Sequence, residues 1–374
     1  MSNVALFINN ISNSGGTEVV SKSYAFRLLQ RGDIVHIITS DFTKTPSDLE
    51  GSPVRIFALR EKHSKKKLNE SHIQKAVEYC KAQNINRSIF VLNVPHEYSQ
   101  ISNFELIKRI AAISSAEVVF HNSPKSYLMY YWDAQYSFLG NVLRKIRNWL
   151  IRAPHAKNFI KKLYRSNIQV FTISRGCQRE MKECFGVSSE IRYNPYAFVP
   201  QEDFVKQNVV SYCGRLVAVK NVALLLSAWR RAHTEKWTLQ LIGDGSQRSF
   251  LEAYCRKFNL NNVVFVGNVP HNMVYDYLKK SKVFCFTSNN EGWGMVLSEA
   301  MNMRNAIITT KFDGFSDELL SSENSIVCPF KTRQITDALD CLLKDALKVT
   351  RMGKSAYESC QSFYTSQQYL DGLN

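Results

Sequence analysis

No apolar run in this sequence approaches the roughly 18–20 residues needed to cross a bilayer, which excludes a helical membrane span. Its start, MSNVALFINN, lacks the basic segment and cleavage site of a secretory leader. There is no CxxC pair, and the nine cysteines are scattered and odd in number. That pattern fits core thiols in a reducing compartment better than a disulfide framework or a zinc site. A cytosolic location is therefore expected. Neither G-x-G-x-x-G nor G-x-x-x-x-G-K-S/T occurs, which removes the dinucleotide fingerprint and the P-loop. Asp-x-Asp is also missing, with Asp244 and Asp313 standing alone, so no metal is expected in the chemistry.

Acidic residues are absent from Ala134 to Arg179, although the span carries Arg144, Lys145, Arg147, Arg152, Lys157, Lys161, Lys162, Arg165, Arg175 and Arg179. Interleaved with them are Leu143, Ile146, Trp149, Leu150, Ile151, Phe159, Ile160, Leu163 and Tyr164. The whole chain has a net charge of +16. A basic amphipathic stretch suits an anionic membrane surface. A solvated helix face and a nucleic-acid contact are the other readings of the same pattern. The chain has no aromatic-basic RNA motif, zinc-ligand spacing or helix-turn-helix signal, which argues against a nucleic-acid partner. The shorter run Lys65–Lys67 carries the same ambiguity.

What is present is an ordinary globular composition, 45% hydrophobic and 21% charged, over 374 residues. That length exceeds what one core supports, so two domains are expected. Strand-like runs alternate with helical spacing throughout, the pattern of α/β doubly wound parallel sheets. Val4–Asn9 leads through a loop to a helix beginning near Thr17 with Val20, Tyr24 and Leu28 on one face. Ile34–Thr39 is the next strand. Gly15 and Gly16 stand just before that helix, where paired glycines can offer amides to an anion or simply make a tight turn. Strands at Ile89–Leu92, Val118–Phe120 and Gln169–Ile173 and helices at Phe104–Ala112 and Arg175–Phe185 continue the pattern. His121 follows a central strand directly, at the end where open sheets bind ligands; a lone histidine there can equally be structural. Asn194-Pro195-Tyr196, Pro200 and the polar run after it read as a linker. Residues 1–200 and 201–352 are taken as the two domains, and 353–374 as a C-terminal helix returning to the first.

The second half opens on the strand Val209–Cys213, followed by Gly214-Arg215-Leu216 and then Lys220. Two cations beside a strand end can hold a diphosphate by charge-assisted bonds, or form surface ion pairs. Gly243-Asp244-Gly245 turns after Thr238–Ile242, and Gly267 ends Val263–Val266. Helices are expected at Val222–Ala232, Gln247–Phe258 and Asn272–Lys279. Then comes VFCFTSNNEGWGMVLSEAMNMRNAIITT, residues Val283–Thr310: strand, glycine-broken loop, helix and strand. Gly292 and Gly294 allow close backbone approach. Glu291 lies in the loop, and Glu299 eight positions later in the helix.

Together, Gly214-Arg215-Leu216 with Lys220, Gly243-Asp244-Gly245, Val264–Gly267 and EGWGMVLSE resemble family-four retaining glycosyltransferases of the GT-B fold, the glycosyl transferases group 1. Glu291 and Glu299 match that family's E-x7-E motif. Gly15-Gly16-Thr17-Glu18 and His121-Asn122 resemble its amino-terminal loop and histidine. The match is nearly continuous over Val209–Phe315 and scattered before it. The resemblance implies an acceptor-binding first domain and a second domain that binds a nucleotide sugar. It implies that Arg215 and Lys220 neutralise the departing diphosphate, that Glu299 holds the ribose hydroxyls and that Glu291 faces the transferred sugar. By the same resemblance the amides of Gly294, Met295 and Val296, with Gly15 and Gly16, attract the phosphates. Gly214, Gly243, Gly245, Gly267 and Val269 border the nucleotide, and His121 contacts the sugar. Trp293 stands where Phe or Tyr is more familiar. Asn289 and Asn290 border the sugar pocket, and Tyr275 and Phe286 are read as core.

The expected activity is transfer of a hexose or N-acetylhexosamine from a UDP-sugar, or secondarily a GDP-sugar, with retention and without metal or other cofactor. The expected acceptor is a lipid-linked or cell-surface glycan of lipopolysaccharide, capsule or O-antigen type. The enzyme would sit at the inner face of the cell membrane through the Ala134–Arg179 stretch. A sugar-nucleotide epimerase of the same fold, a transferase acting on a soluble acceptor, a noncatalytic sugar-binding protein and a nucleic-acid-binding protein are the alternatives. A glycosidase, which also uses two carboxylates, leaves the phosphate-binding features unexplained.

Overall fold

The computed structural model describes residues 2–11, 16–41, 45–46, 49–60, 68–92, 103–133, 136–202, 205–312, 314 and 316–373. Gly15, Asp313 and the Lys65–Lys67 run lie outside the described residues. The chain divides into two compact units: Met1–Met129 with Arg147–Tyr196 and Gly372–Asn374, and Tyr130–Ile146 with Ala197–Asp371.

The first unit is built on seven parallel strands: β1 (Asn3–Asn10), β2 (Ile34–Asp41), β3 (Arg55–Arg60), β4 (Arg87–Leu92), β5 (Ser115–Phe120), β6 (Gln169–Thr172) and β7 (Glu190–Ile191). Their order across the sheet is β3-β2-β1-β4-β5-β6-β7. Chain order therefore reverses direction between β1 and β4. Strands covered by helices on both faces must be apolar throughout, and Val4–Phe7 and Phe90–Leu92 are indeed buried end to end. Phe7 and Phe90 stack at 4.2 Å across neighbouring strands, fixing their register. The helix Gly16–Gln30 turns Val20, Tyr24 and Leu28 inward as its spacing predicts.

β3, β7 and the helix Glu70–Ala82 are among the elements of this half that escaped the sequence reading. β3 is an edge strand whose residues are mostly half-exposed, so it carries little apolar signal. The helix Glu70–Ala82 begins at Asn69, whose side chain accepts from the His72 amide while His72 reciprocates. It buries Ile73, Ala76, Val77 and Cys80, the i, i+3, i+4, i+7 spacing of an amphipathic helix, a legible signal.

The span Ala134–Arg179 is several elements rather than one surface helix. A helix at Phe138–Arg147 passes through a π turn at Asn148–Arg152 into a helix at Ala153–Arg165, and β6 follows. Within the first unit, Ala156, Ile160 and Leu163 join the core that holds Ile110 and Phe120. Trp149, at 72% exposure, and Leu150 and Ile151 face outward beside the exposed Arg147 and Arg152. In the second unit Phe138, at 75%, Leu139, Leu143 and Ile146 are likewise exposed, next to Arg144 and Lys145. In either unit, exposed large apolar side chains among cations are uncommon on a solvated surface. Among the described residues, no helix is long and apolar enough to cross a membrane.

The second unit carries six parallel strands: β8 (Gln207–Cys213), β9 (Thr238–Ile242), β10 (Val263–Gly267), β11 (Ser281–Phe286), β12 (Ala306–Thr310) and β13 (Ser325–Cys328). Their order is β10-β9-β8-β11-β12-β13, so this sheet reverses between β8 and β11. In open parallel sheets, ligands bind outside the carboxyl ends of the strands at such a reversal. The helix Ala346–Tyr364 packs behind β11 and β12 with Met352, Ala356 and Cys360 buried. Its Gly353 has no room for a side chain, since a Cβ would lie 2.3 Å from the Arg304 carbonyl oxygen.

Candidate functional site

The predicted site residues of the second half gather at this crossover. β8 ends at Cys213 and runs into Gly214, Arg215 and a single turn of 3-10 helix at Ala218–Lys220. β11 ends at Phe286 and runs into the loop carrying Glu291. The two loops are bonded to each other. The Asn289 amide donates to the Val219 carbonyl at 2.8 Å, Ser288 Oγ donates to the same carbonyl, and Thr287 Oγ1 donates to the Asn221 carbonyl at 3.1 Å. Asn221, in the left-handed region at φ 50°, donates its side-chain amide to Asn289 Oδ1 at 3.1 Å. Asn289 thus holds the two loops together.

That lacing brings Lys220 onto Glu291. Lys220 Nζ donates to Glu291 Oε1, and Ser288 Oγ donates to the same oxygen at 2.7 Å. Both ionic side chains are largely shielded, at 17% and 12% exposure. Arg215 stands exposed at the mouth, its carbonyl receiving the Tyr212 hydroxyl at 3.2 Å. Tyr212 lies beneath, stacked on Phe286, and burial raises its phenol far above the ordinary range.

The glycine turns form the adjoining wall. Gly243, at φ 123°, donates its amide to the Gly267 carbonyl at 2.7 Å, and Gly214 donates to Ile242 at 2.9 Å. A Cβ on Gly243 would stand 2.2 Å from the Gly214 oxygen, and one on Gly245 would stand 2.5 Å from the Leu216 oxygen. Only glycine permits such approach. Asp244 receives the Gly245 amide at 2.7 Å and Arg248 at 3.0 Å, and the amide first, then the guanidinium, hold its carboxyl below the usual range. Val269 is half-buried just beyond Gly267.

Gly294, at φ 73°, starts the helix Met295–Asn302, and no side chain among the described residues caps it at that end. Its first amides, at Met295 and Val296, carry the positive end of the helix dipole. Glu299 lies in the same helix at 5% exposure. Its Oε1 is hydrogen-bonded to His271 Nε2 at 2.9 Å. His271 was not foreseen; it opens the helix His271–Lys280 and meets the Tyr275 ring edge-on. Phe286 is core as expected, and Tyr275 is half-buried against His271.

Trp293 does more than replace another aromatic. It is 2% exposed, and its indole N–H donates to the Tyr364 hydroxyl at 3.0 Å and to Ser298 Oγ at 3.3 Å. Tyr364 belongs to the long C-terminal helix. The loop between the two glutamates is thereby pinned from behind by residues that only folding brings near.

In the first unit, His121 follows β5 as expected. It is 8% exposed, Tyr24 meets its ring edge-on at 6.0 Å, and its Nε2 is buried without a hydrogen-bond partner among the described residues. Burial lowers its pKa to about 3, against the opposing hydrogen bond from Asn194, so the ring is neutral. Beyond it, buried Glu180 accepts from the Ser123 hydroxyl and from the Lys125 amide at 3.1 Å, fixing the loop that follows His121. Gly16 begins the helix that carries Tyr24. Among the described residues, no group of three His, Cys, Asp or Glu side chains gathers to hold a metal ion.

Two doubly wound units with glycine turns, paired ions and an uncapped helix at the second unit's crossover define the class: a GT-B fold. HepE of Anabaena, solved with UDP and glucose, superposes with a TM-score of 0.75 over all of this chain and 97% of its own, at 14% identity. At that identity the likeness establishes the fold. Residues 197–359 match the family described as glycosyl transferases group 1. A stretch of 97 residues, 26% of the chain, is 36% identical to the amylovoran biosynthesis glycosyltransferase AmsD of Erwinia amylovora. Over 51% of the chain, identity to the N-acetylgalactosamine-N,N'-diacetylbacillosaminyl-diphospho-undecaprenol 4-alpha-N-acetylgalactosaminyltransferase of Campylobacter jejuni is 27%. The matched stretches span 27% and 58% of those two relatives.

Proposed function

We propose that the protein is a retaining glycosyltransferase that moves a hexose or N-acetylhexosamine from a nucleotide sugar, UDP ahead of GDP, without a metal ion. The observation that carries this reading is the Lys220–Glu291 pair, held where the loops after β8 and β11 are bonded together, beside an uncapped helix end. Cleavage of a sugar–phosphate bond builds positive charge on the sugar and negative charge on the diphosphate. Lys220, Arg215 and the Met295 and Val296 amides supply fixed positive charge for the diphosphate, which a mobile solvent would have to reorganise to give. Glu291 bears the negative charge suited to the developing cation and to sugar hydroxyls. Glu299 serves the ribose, and the Gly243–Gly245 and Gly267–Val269 turns serve the base. Neutral His121, with its Nε2 bonded to no described residue, suits a sugar hydroxyl. UDP is favoured because HepE was solved with it.

The acceptor in this proposal is a lipid-linked or cell-surface glycan, a reading supported by the diphospho-undecaprenol-linked sugar in the name of the Campylobacter relative. The exposed Phe138, Leu139, Leu143, Ile146, Trp149, Leu150 and Ile151, set among arginines and lysines, would hold the protein on an anionic leaflet at the inner face of the membrane. Vesicle sedimentation across a salt series tests this part: binding that is absent from anionic vesicles, or indifferent to salt, removes it.

The activity is tested by nucleotide release from a panel of UDP- and GDP-sugars with EDTA present. Slow release from one donor supports the reading and identifies carrier and sugar together. Conversion of one sugar nucleotide into an isomer would instead establish the epimerase. Absence of release together with no thermal stabilisation by UDP or GDP would refute the transferase.

A further inference from the structure

We infer that His271 is a positioning residue for Glu299, and that this pair makes the nucleotide site select ribonucleotides over deoxyribonucleotides. The inference rests on the ribose role proposed for Glu299. A carboxylate at 5% exposure must be hydrogen-bonded and held in one rotamer to act as a specific acceptor. The imidazole does this from a separate element: Nε2 of His271 bonds Oε1 of Glu299 at 2.9 Å. His271 is itself aimed by two local features. Pro270 sets the start of its helix, and Tyr275, one turn further on, lies edge-on to the ring at 5.7 Å. Glu299 Oε2 makes no hydrogen bond to a described residue, and it is the atom left for a ribose hydroxyl.

The geometry also narrows what Glu299 can do. With Oε1 engaged by an imidazole, the carboxylate grips chiefly through one oxygen, so one of the two ribose hydroxyls should dominate. His271 lies four residues beyond Gly267, so the segment proposed to border the base leads directly into the residue that orients the ribose acceptor. Base and sugar recognition are joined on one short stretch of chain.

Calorimetric titration with UDP, 2′-deoxy-UDP and 3′-deoxy-UDP tests this, or with the guanosine series if GDP binds more tightly. The wild type should prefer the ribonucleotide to one deoxy analogue by about tenfold to a hundredfold, the worth of a hydrogen bond to a charged group. His271→Phe keeps the packing against Tyr275 and removes the N–H, and should reduce that preference to about threefold or less on the same basis. His271→Gln restores a donor and should recover it. A purely supporting role would lower all affinities together and leave the preference unchanged, which would overturn the inference. Glu299→Gln in the same series separates the two layers. If it abolishes the preference while His271→Phe does not, Glu299 holds the ribose without His271. If the preference survives Glu299→Gln, the ribose role falls and the inference with it.

Discussion

Replacing Lys220 with methionine should destabilise the second unit by an amount that the geometry lets us work out. The change leaves the Glu291 carboxylate, at 12% side-chain exposure, with Ser288 Oγ as its remaining hydrogen-bond donor of known distance. Removing one partner of a fully buried ion pair costs about 3–5 kcal/mol. Residual exposure on both sides and the 2.7 Å bond from Ser288 reduce this to about 2–3 kcal/mol. For a unit of this size each kcal/mol lowers the melting temperature by about 2–4 °C, so a fall of about 5–10 °C is expected. Glu291→Gln alone should be similarly harmful, because it strands the ammonium. The double variant removes both charges and should recover to within about 1 kcal/mol of wild type, a coupling of about 2 kcal/mol or more. Scanning calorimetry on the four proteins measures the cycle. Single variants that melt with the wild type, or a double variant whose loss equals the sum of the singles, would refute the reasoning and make the pair an ordinary surface contact. In the activity assay, Lys220→Met should lower turnover more than donor affinity, since the diphosphate gains charge only as its bond breaks.

Because burial lowers the His121 pKa from about 6.5 to about 3 in the folded chain, the unfolded chain takes up the proton first. Stability should hold above about pH 6.5 and fall by about 1.4 kcal/mol per unit as the pH drops toward the folded value; urea titrations of wild type and His121→Asn should differ by that slope, and parallel curves would contradict it. Tyr364→Phe takes one acceptor from the buried Trp293 N–H and should cost about 1–2 kcal/mol, read as a lower denaturation midpoint. Gly245→Ala drives a methyl against the Leu216 carbonyl and should cost about 1–3 kcal/mol and weaken nucleotide binding; unchanged melting would mean the turn can open.

The sequence by itself determined the periodic framework and the chemical inventory of the site. Apolar runs alternating with helical spacing specify parallel strands covered on both faces, because no other arrangement buries them. Arg215, Lys220, Glu291 and Glu299 were legible because each lies just after a strand or at fixed spacing from one, and strand ends are where such sheets open. β3 and β7 were not legible, because a short or half-exposed edge strand leaves little apolar pattern. The site's partners were equally hidden: His271 is 28 residues from Glu299, and Tyr364 is 71 from Trp293. Local sequence also could not say that the Asn289 amide and side chain are bonded to residues 68 and more positions away. Only the tertiary structure decided which polar groups satisfy one another and which remain for a ligand. The reason is physical: most buried donors and acceptors must find a partner, and those partners are chosen largely by the packing of distant strands and helices.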